Sequence, residues 1–199
     1  MRSFFQKLFN DKKPVYIVSG LPRSGTSMMM KMLEAGGIPP LTDNIRTADV
    51  DNPKGYYEFE RVKKLKAGDT GWLPEAAGKA VKVIGALLVE LPPGYEYKVL
   101  FMWRDMDEIL ASQERMLKHR GEASKIDDAT MRDLFEKHLR DVYRWMENQP
   151  DLKYINVDYN AALQDPEAIA VKVNQFLGGG LNVKAMVDAV DAKLYRQRK

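Results

Sequence analysis

Gly20-Leu21-Pro22-Arg23-Ser24-Gly25-Thr26-Ser27 separates the apolar run Val15 to Val18 from the helix-like run Met28 to Ala35. The order is strand, glycine-bearing turn, helix. Such a turn leaves backbone N–H groups pointing outward, and the helix dipole adds partial positive charge, so the loop is suited to holding a phosphate-like anion. The spacing of Gly20 and Gly25 is that of a phosphate-binding P-loop, yet Thr26 stands where the Walker pattern has lysine. Arg23 supplies a positive charge from inside the turn, as a planar fork able to grip a phosphate with two hydrogen bonds.

Working outward, strand-like runs at Val15 to Val18, Val81 to Ile84, Tyr97 to Trp103 and Tyr154 to Val157 alternate with helix-like runs. These lie near Ser27 to Ala35, Asp107 to Lys118, Met131 to Asn148 and Pro166 to Phe176. The alternation predicts an α/β fold, a three-layer sandwich with a central parallel sheet. Ligands in such sheets sit beyond the carboxyl ends of the strands. Arg23 and Arg104 both follow strands, so both are expected at that edge. Residues Gly36 to Tyr57 carry Pro39, Pro40, Asn44, Asn52, Pro53 and Gly55 and read as a long loop, of a kind that often serves as a lid. Gly178-Gly179-Gly180 ends the last core helix. The chain 1–199 reads as one domain, with an amphipathic segment over 1–13 and a C-terminal helix with a basic tail over 181–199.

The composition limits the function classes. With 31 Lys and Arg against 28 Asp and Glu the net charge is +3, too small to argue for nucleic-acid binding. There is no cysteine, which excludes disulfides and a thiolate nucleophile, and a reducing cytoplasm is the expected compartment. No run approaches the roughly 18 to 20 apolar residues of a membrane span. Phe5, Leu8 and Phe9 share a helical face beside Lys7, Lys12 and Lys13. Packing on its own domain is the expected use of that face, and contact with a membrane surface is the alternative. His119 and His138 lie in charged helical stretches and read as surface residues without metal-ligand spacing, so no metal is expected.

Pro22-Arg23-Ser24-Gly25-Thr26-Ser27 resembles the 5′-phosphosulfate loop of sulfotransferases, which use 3′-phosphoadenosine 5′-phosphosulfate (PAPS) as donor. The strand Val99 to Trp103, ending in Arg104-Asp105 and followed by Ser112, resembles that family's 3′-phosphate element. Tyr154 to Pro166 is similar to the strand, Tyr and Asp-Pro pattern before the family's late helix. Three matches in order span about Val15 to Leu177. The resemblance implies sulfuryl transfer from PAPS to a hydroxyl or amine, without a metal, leaving adenosine 3′,5′-bisphosphate. It implies that Arg23, Ser24, Gly25, Thr26 and Ser27 hold the sulfate end, that Arg104 and Ser112 read the 3′-phosphate, and that Lys82 contacts the bridging oxygen. Tyr159 matches the adenine-contacting Tyr, although Asn160-Ala161 replaces the acidic pair that usually follows it. Met28 replaces the stacking Trp. Arg196, with Arg198 and Lys199, loosely resembles a late basic element.

The general base is the open position. The cytosolic branch has His two residues after the strand Lys, where this chain has Ile84. Other branches use a Glu after the loop helix, and Glu58 beside Tyr56, Tyr57 and Phe59 is the matching carboxylate, which burial would suit to proton transfer. A helix-capping role is its alternative. Two other functions stay open: a small-molecule or nucleoside kinase with Asp105 on magnesium, and a non-catalytic nucleotide-binding protein of the same fold. The acceptor, whether small molecule, carbohydrate or lipid, is expected between the 36–57 loop and Gly68 to Ala80, with Trp72, Leu73, Tyr56 and Tyr57 as an apolar wall. The chain is short for this family, so a second subunit, as in a homodimer, is one way to complete that site.

Overall fold

The computed structural model describes residues 13–191 except 44, 46–54, 123 and 125. The segment Phe5 to Phe9, residues 44 and 46–54 of the expected lid, and Arg196, Arg198 and Lys199 lie outside the described residues. Four strands, β1 (Val15–Gly20), β2 (Ala80–Lys82), β3 (Tyr97–Trp103) and β4 (Leu152–Asp158), form one parallel sheet in the order β2-β1-β3-β4. Ile17 pairs with Val81 and Val99, and Val99 with Tyr154, so all four carboxyl ends lie along one edge. Strand alternation sends side chains to two cores.

One core combines Val15, Ile17, Val81, Val99 and Phe101 with Val142 and Met146 of α5 (Asp128–Glu147). It also takes in Trp72, Leu73 and Leu88 from the short helices α2 (Leu73–Ala76) and α3 (Gly85–Leu88) and their approach. The opposite core sets Val18, Leu100, Met102 and Val157 against Met29, Met30 and Leu33 of α1 (Thr26–Gly36). α6 (Tyr159–Gln164), α7 (Pro166–Leu177) and α8 (Val183–Asp188) complete that layer, while α4 (Met106–His119) packs against α5. The expected three-layer α/β sandwich is present.

Element boundaries moved for local reasons. α5 starts before Met131 because the Asp127 carboxylate accepts the Thr130 N–H and caps the first turn. Gly178, in the left-handed region at φ 111°, ends α7, and Lys98 donates to the Phe176 and Leu177 carbonyls that this end leaves open. β2 stops at Lys82, earlier than Ile84, because Ile84 turns out of the sheet to become the N-cap of α3. Within the expected 181–199 stretch the described residues 181–191 carry one helix, Val183–Asp188, capped by Asn182 and packed on α1. Past the end of α1, the described residues of 37–57 carry one isolated bridge, Pro40 to Ala80, and no regular element.

Candidate functional site

The loop leaves β1 at Gly20, where φ is +144° and an added Cβ would stand 2.6 Å from the Met102 carbonyl oxygen and the Ser24 Oγ. It enters α1 through Gly25 at φ +96°, where a Cβ would meet the Tyr159 ring at 2.3 Å. Neither position has room for a side chain, which is why both are glycine. Ser24 is buried and spends its Oγ–H on the Leu21 carbonyl at 2.7 Å, bracing the turn from within. Thr26 and Ser27 open α1, whose N-terminus has no side-chain cap and no acidic residue in its first turn. An uncapped, acid-free helix start behind a glycine turn is electrostatically suited to an anion.

Two cations reach this loop from other strands. Lys82, at the end of β2, donates from Nζ to Ser27 Oγ at 3.2 Å and to the Tyr56 carbonyl at 3.0 Å. Its ammonium also lies 5.9 Å from the centre of the Tyr56 ring. Arg104, just past β3, donates from Nη1 to the Arg23 carbonyl at 3.0 Å and stacks 4.5 Å from the Tyr159 ring centre. Arg23 itself sits at φ 69°, and its Nε donates to Ser112 Oγ on α4 at 3.0 Å. Arg23, Arg104, Ser112 and Tyr159, far apart in sequence, therefore gather on one side of the loop, and Lys82 with Ser27 on another.

The Arg104 side is neutralised internally. Its Nε donates to Glu108 Oε2 at 2.9 Å, with the two side chains only 7% and 5% exposed. Asn160 donates to the other Glu108 oxygen at 3.1 Å. The Arg104-to-Glu108 spacing, one helical turn, was visible in the chain. Tyr159 is buried, with the Gly25 backbone on its ring face and its hydroxyl driven to higher pKa first by burial. Its ring braces the loop and Arg104.

Other expectations meet the structure less simply. Glu58 is near the loop through its neighbour Tyr56, but its carboxylate is engaged by the Lys63 ammonium at 3.2 Å and its carbonyl accepts from Thr42. At the start of the adjacent 3-10 helix Glu60–Ala67 the Glu60 N–H donates to the Asp43 carboxylate. Trp72, Leu73 and Tyr56 do not form an exposed wall: they are 1%, 0% and 5% exposed, with Trp72 edge-on to Phe59 and its indole N–H on the Asp69 carbonyl. Apolar packing claims them before any ligand. The exposed large apolar side chains at the carboxyl edge are Ile84 and Trp103. Asp105 accepts the Asp107 and Glu108 N–H groups and so serves as the N-cap of α4.

His138 requires a correction as well. It is half-buried, on the core-facing stripe of α5 that continues through Val142 and Met146, and its Nε2 lies 2.9 Å from where a Gly85 Cβ would be. Burial lowers its pKa, against a weaker opposing pull from Asp141. Helical periodicity was the missed signal: His138 stands one turn before Val142. Among the described residues no group of three or more His, Cys, Asp or Glu is placed to hold a metal ion, and no helix is long and apolar enough to cross a membrane.

No family model matches the chain, and no curated protein matches it. Solved structures do. The chain is similar to a sulfotransferase domain from the curacin biosynthetic pathway, with a TM-score of 0.55 and 14% identity over 90% of this chain and 78% of that one. It is also similar to the sulfotransferase domain from the Synechococcus PCC 7002 olefin synthase, with a TM-score of 0.54 and 14% identity over 94% of this chain and 81% of that one. The parallel sheet, the loop at its carboxyl edge and these neighbours agree: the chain has the fold of a sulfotransferase domain.

Proposed function

We propose that the protein transfers a sulfuryl group from PAPS to a hydroxyl-bearing acceptor. The observation that carries this reading is the contact between Lys82 Nζ and Ser27 Oγ. The loop lacks the Walker lysine, and a strand lysine delivers an ammonium to the loop's first helical turn instead. The fold of the two sulfotransferase neighbours supports the same reading.

In this mechanism the 5′-phosphosulfate lies over the loop, with the uncapped start of α1 and the hydroxyls of Thr26 and Ser27 facing it. Charge builds on the bridging oxygen as the sulfur–oxygen bond breaks. Lys82 stabilises it there, and fixed donors and cations of this kind typically contribute several kcal/mol, about 3 to 4 for a single group. Arg104 and Ser112 read the 3′-phosphate, which requires that Arg104 exchange Glu108 for the ligand, while Arg23, expected at the sulfate end, donates to Ser112 and so faces that side as well. The residues fit the donor directly at the sulfuryl end and only after that exchange at the other. Arg196 is kept as a further phosphate contact and Tyr159 as the flank of the adenine. The acceptor approaches past Ile84 and Trp103, whose exposed apolar surfaces suit an acceptor with hydrocarbon character.

Calorimetry without magnesium tests the reading. Adenosine 3′,5′-bisphosphate is expected to bind at least tenfold more tightly than ADP or ATP, a difference of about 1.4 kcal/mol. Ser112→Ala should narrow it. A preference for ATP, or no binding of the bisphosphate, overturns the proposal. A kinase reading would need Asp105 on a metal, and that carboxylate is committed to capping α4.

A further inference from the structure

We infer that His138, on α5, is the general base that deprotonates the acceptor hydroxyl; this rests on the sulfuryl-transfer reading. Lys82 reaches the loop at Ser27, and Gly85, three residues later, is the residue against which the His138 imidazole lies. Three residues span at most about 11 Å. The exit of β2 therefore runs from the sulfuryl-binding lysine to the imidazole. The same Gly85 position is 3.4 Å from the Gly20 carbonyl oxygen, where the phosphate loop begins, so His138 stands beside the loop from the opposite side of the sheet edge.

The helix explains how it gets there. α5 runs back along the sheet: Tyr143 packs on Phe101 with ring centres 5.0 Å apart and donates to Asn156, and the helix ends near Leu152 at the amino edge. Five residues before Tyr143, His138 is carried about 7.5 Å towards the carboxyl edge. Val142 and Met146 fix the face it presents. A glycine at position 85 is what permits the approach, since any side chain there would collide with the imidazole at 2.9 Å.

The surroundings suit a base. α3 offers Gly85, Ala86, Leu87 and Leu88 and no titratable group, and Leu134, one turn earlier on α5, is exposed and apolar. β1 brings Ser19, fully buried and with no hydrogen-bond partner for its Oγ, on the same face of the sheet as Ile17. The charged groups are Asp141 on the same helix, its neighbours Lys137 and Arg140, and the more distant Asp107–Arg132 pair between α4 and α5. Glu58, by contrast, is held by Lys63. In the step, the neutral Nε2 takes the acceptor O–H proton while that oxygen's electron pair forms the new bond to sulfur. The bond from sulfur to the phosphate oxygen breaks, and its electron pair leaves on adenosine 3′,5′-bisphosphate. The proton passes from the imidazolium to solvent once product has gone.

The chain has only two histidines, so their ring C2–H signals in proton NMR are readily separated by His119→Gln. Saturating PAPS is expected to move the His138 signal and to leave that of His119 in place. His138→Gln should bind adenosine 3′,5′-bisphosphate within twofold of wild type while PAPS turnover, read as bisphosphate release with water as acceptor, falls about 100-fold or more. Bisphosphate binding with an unmoved His138 signal overturns the inference and leaves the donor reading standing. So does turnover kept by His138→Gln and abolished by Glu58→Gln. Failure of wild type to bind the bisphosphate overturns both.

Discussion

Lys82 and Arg104 are brought to the same loop from two strands, and their partners differ in kind. Lys82 donates to the Ser27 hydroxyl and the Tyr56 carbonyl beside the loop. Arg104 is locked onto a buried carboxylate and a ring. A cation in a buried ion pair must first release its partner, and its removal leaves that partner stranded in a low-dielectric site. The buried ion pair gives Arg104 a structural duty beside any role in reading the ligand, whereas Lys82 is the cation proposed to act in the transfer.

The comparison breaks most visibly at Arg104. Arg104→Ala leaves Glu108 buried without its cation, and chemical denaturation should show a loss of about 3 to 5 kcal/mol. Lys82→Met should cost little stability, within about 0.5 kcal/mol, while removing most PAPS turnover in a discontinuous assay. A large stability loss at Lys82, or none at Arg104, would erase the distinction. Gly25→Ala comes next: at φ +96° and against the Tyr159 ring it should cost about 1 to 3 kcal/mol and abolish bisphosphate binding measured by calorimetry. Glu108→Gln sharpens the comparison from the other side. It keeps an acceptor for Arg104 but removes the competing charge, so the bisphosphate should raise Tm by more in this variant than in wild type.

The smallest effect concerns pH. Burial lowers the His138 pKa below the usual 6.5, so the folded protein resists its protonation. Where the unfolded chain binds the proton and the folded one does not, stability falls as pH is lowered. The loss should begin near pH 6.5 and level off once pH drops below the folded-state value. Urea midpoints between pH 7.5 and 5.5 should show a shallower slope in His138→Gln than in wild type; equal slopes would contradict the burial argument.

How much was legible varied with the range of the interaction. The loop could be read because strand, glycine turn and helix are consecutive, and Gly20 and Gly25 carry backbone demands that no other residue meets. Ile84 read as strand because its side chain is β-branched, yet β2 ends earlier and Ile84 caps α3 instead. Trp72 was expected to line a ligand wall because an aromatic near a loop suits one. Burial against Phe59 and the sheet core claimed it first. His138 was masked by Lys137 and Arg140, its charged neighbours, although its spacing to Val142 placed it on the apolar stripe.

By itself the sequence determined the parallel α/β order and the position of the anion loop, since hydrophobic periodicity and glycine conformation act within a few residues. Only the tertiary structure decided which side chains meet at the loop and which histidine lies beside it. Those outcomes depend on partners 26 to 89 residues apart, such as Lys82 with Tyr56 and Arg23 with Ser112, that meet only when the strands pair and the helices pack upon them.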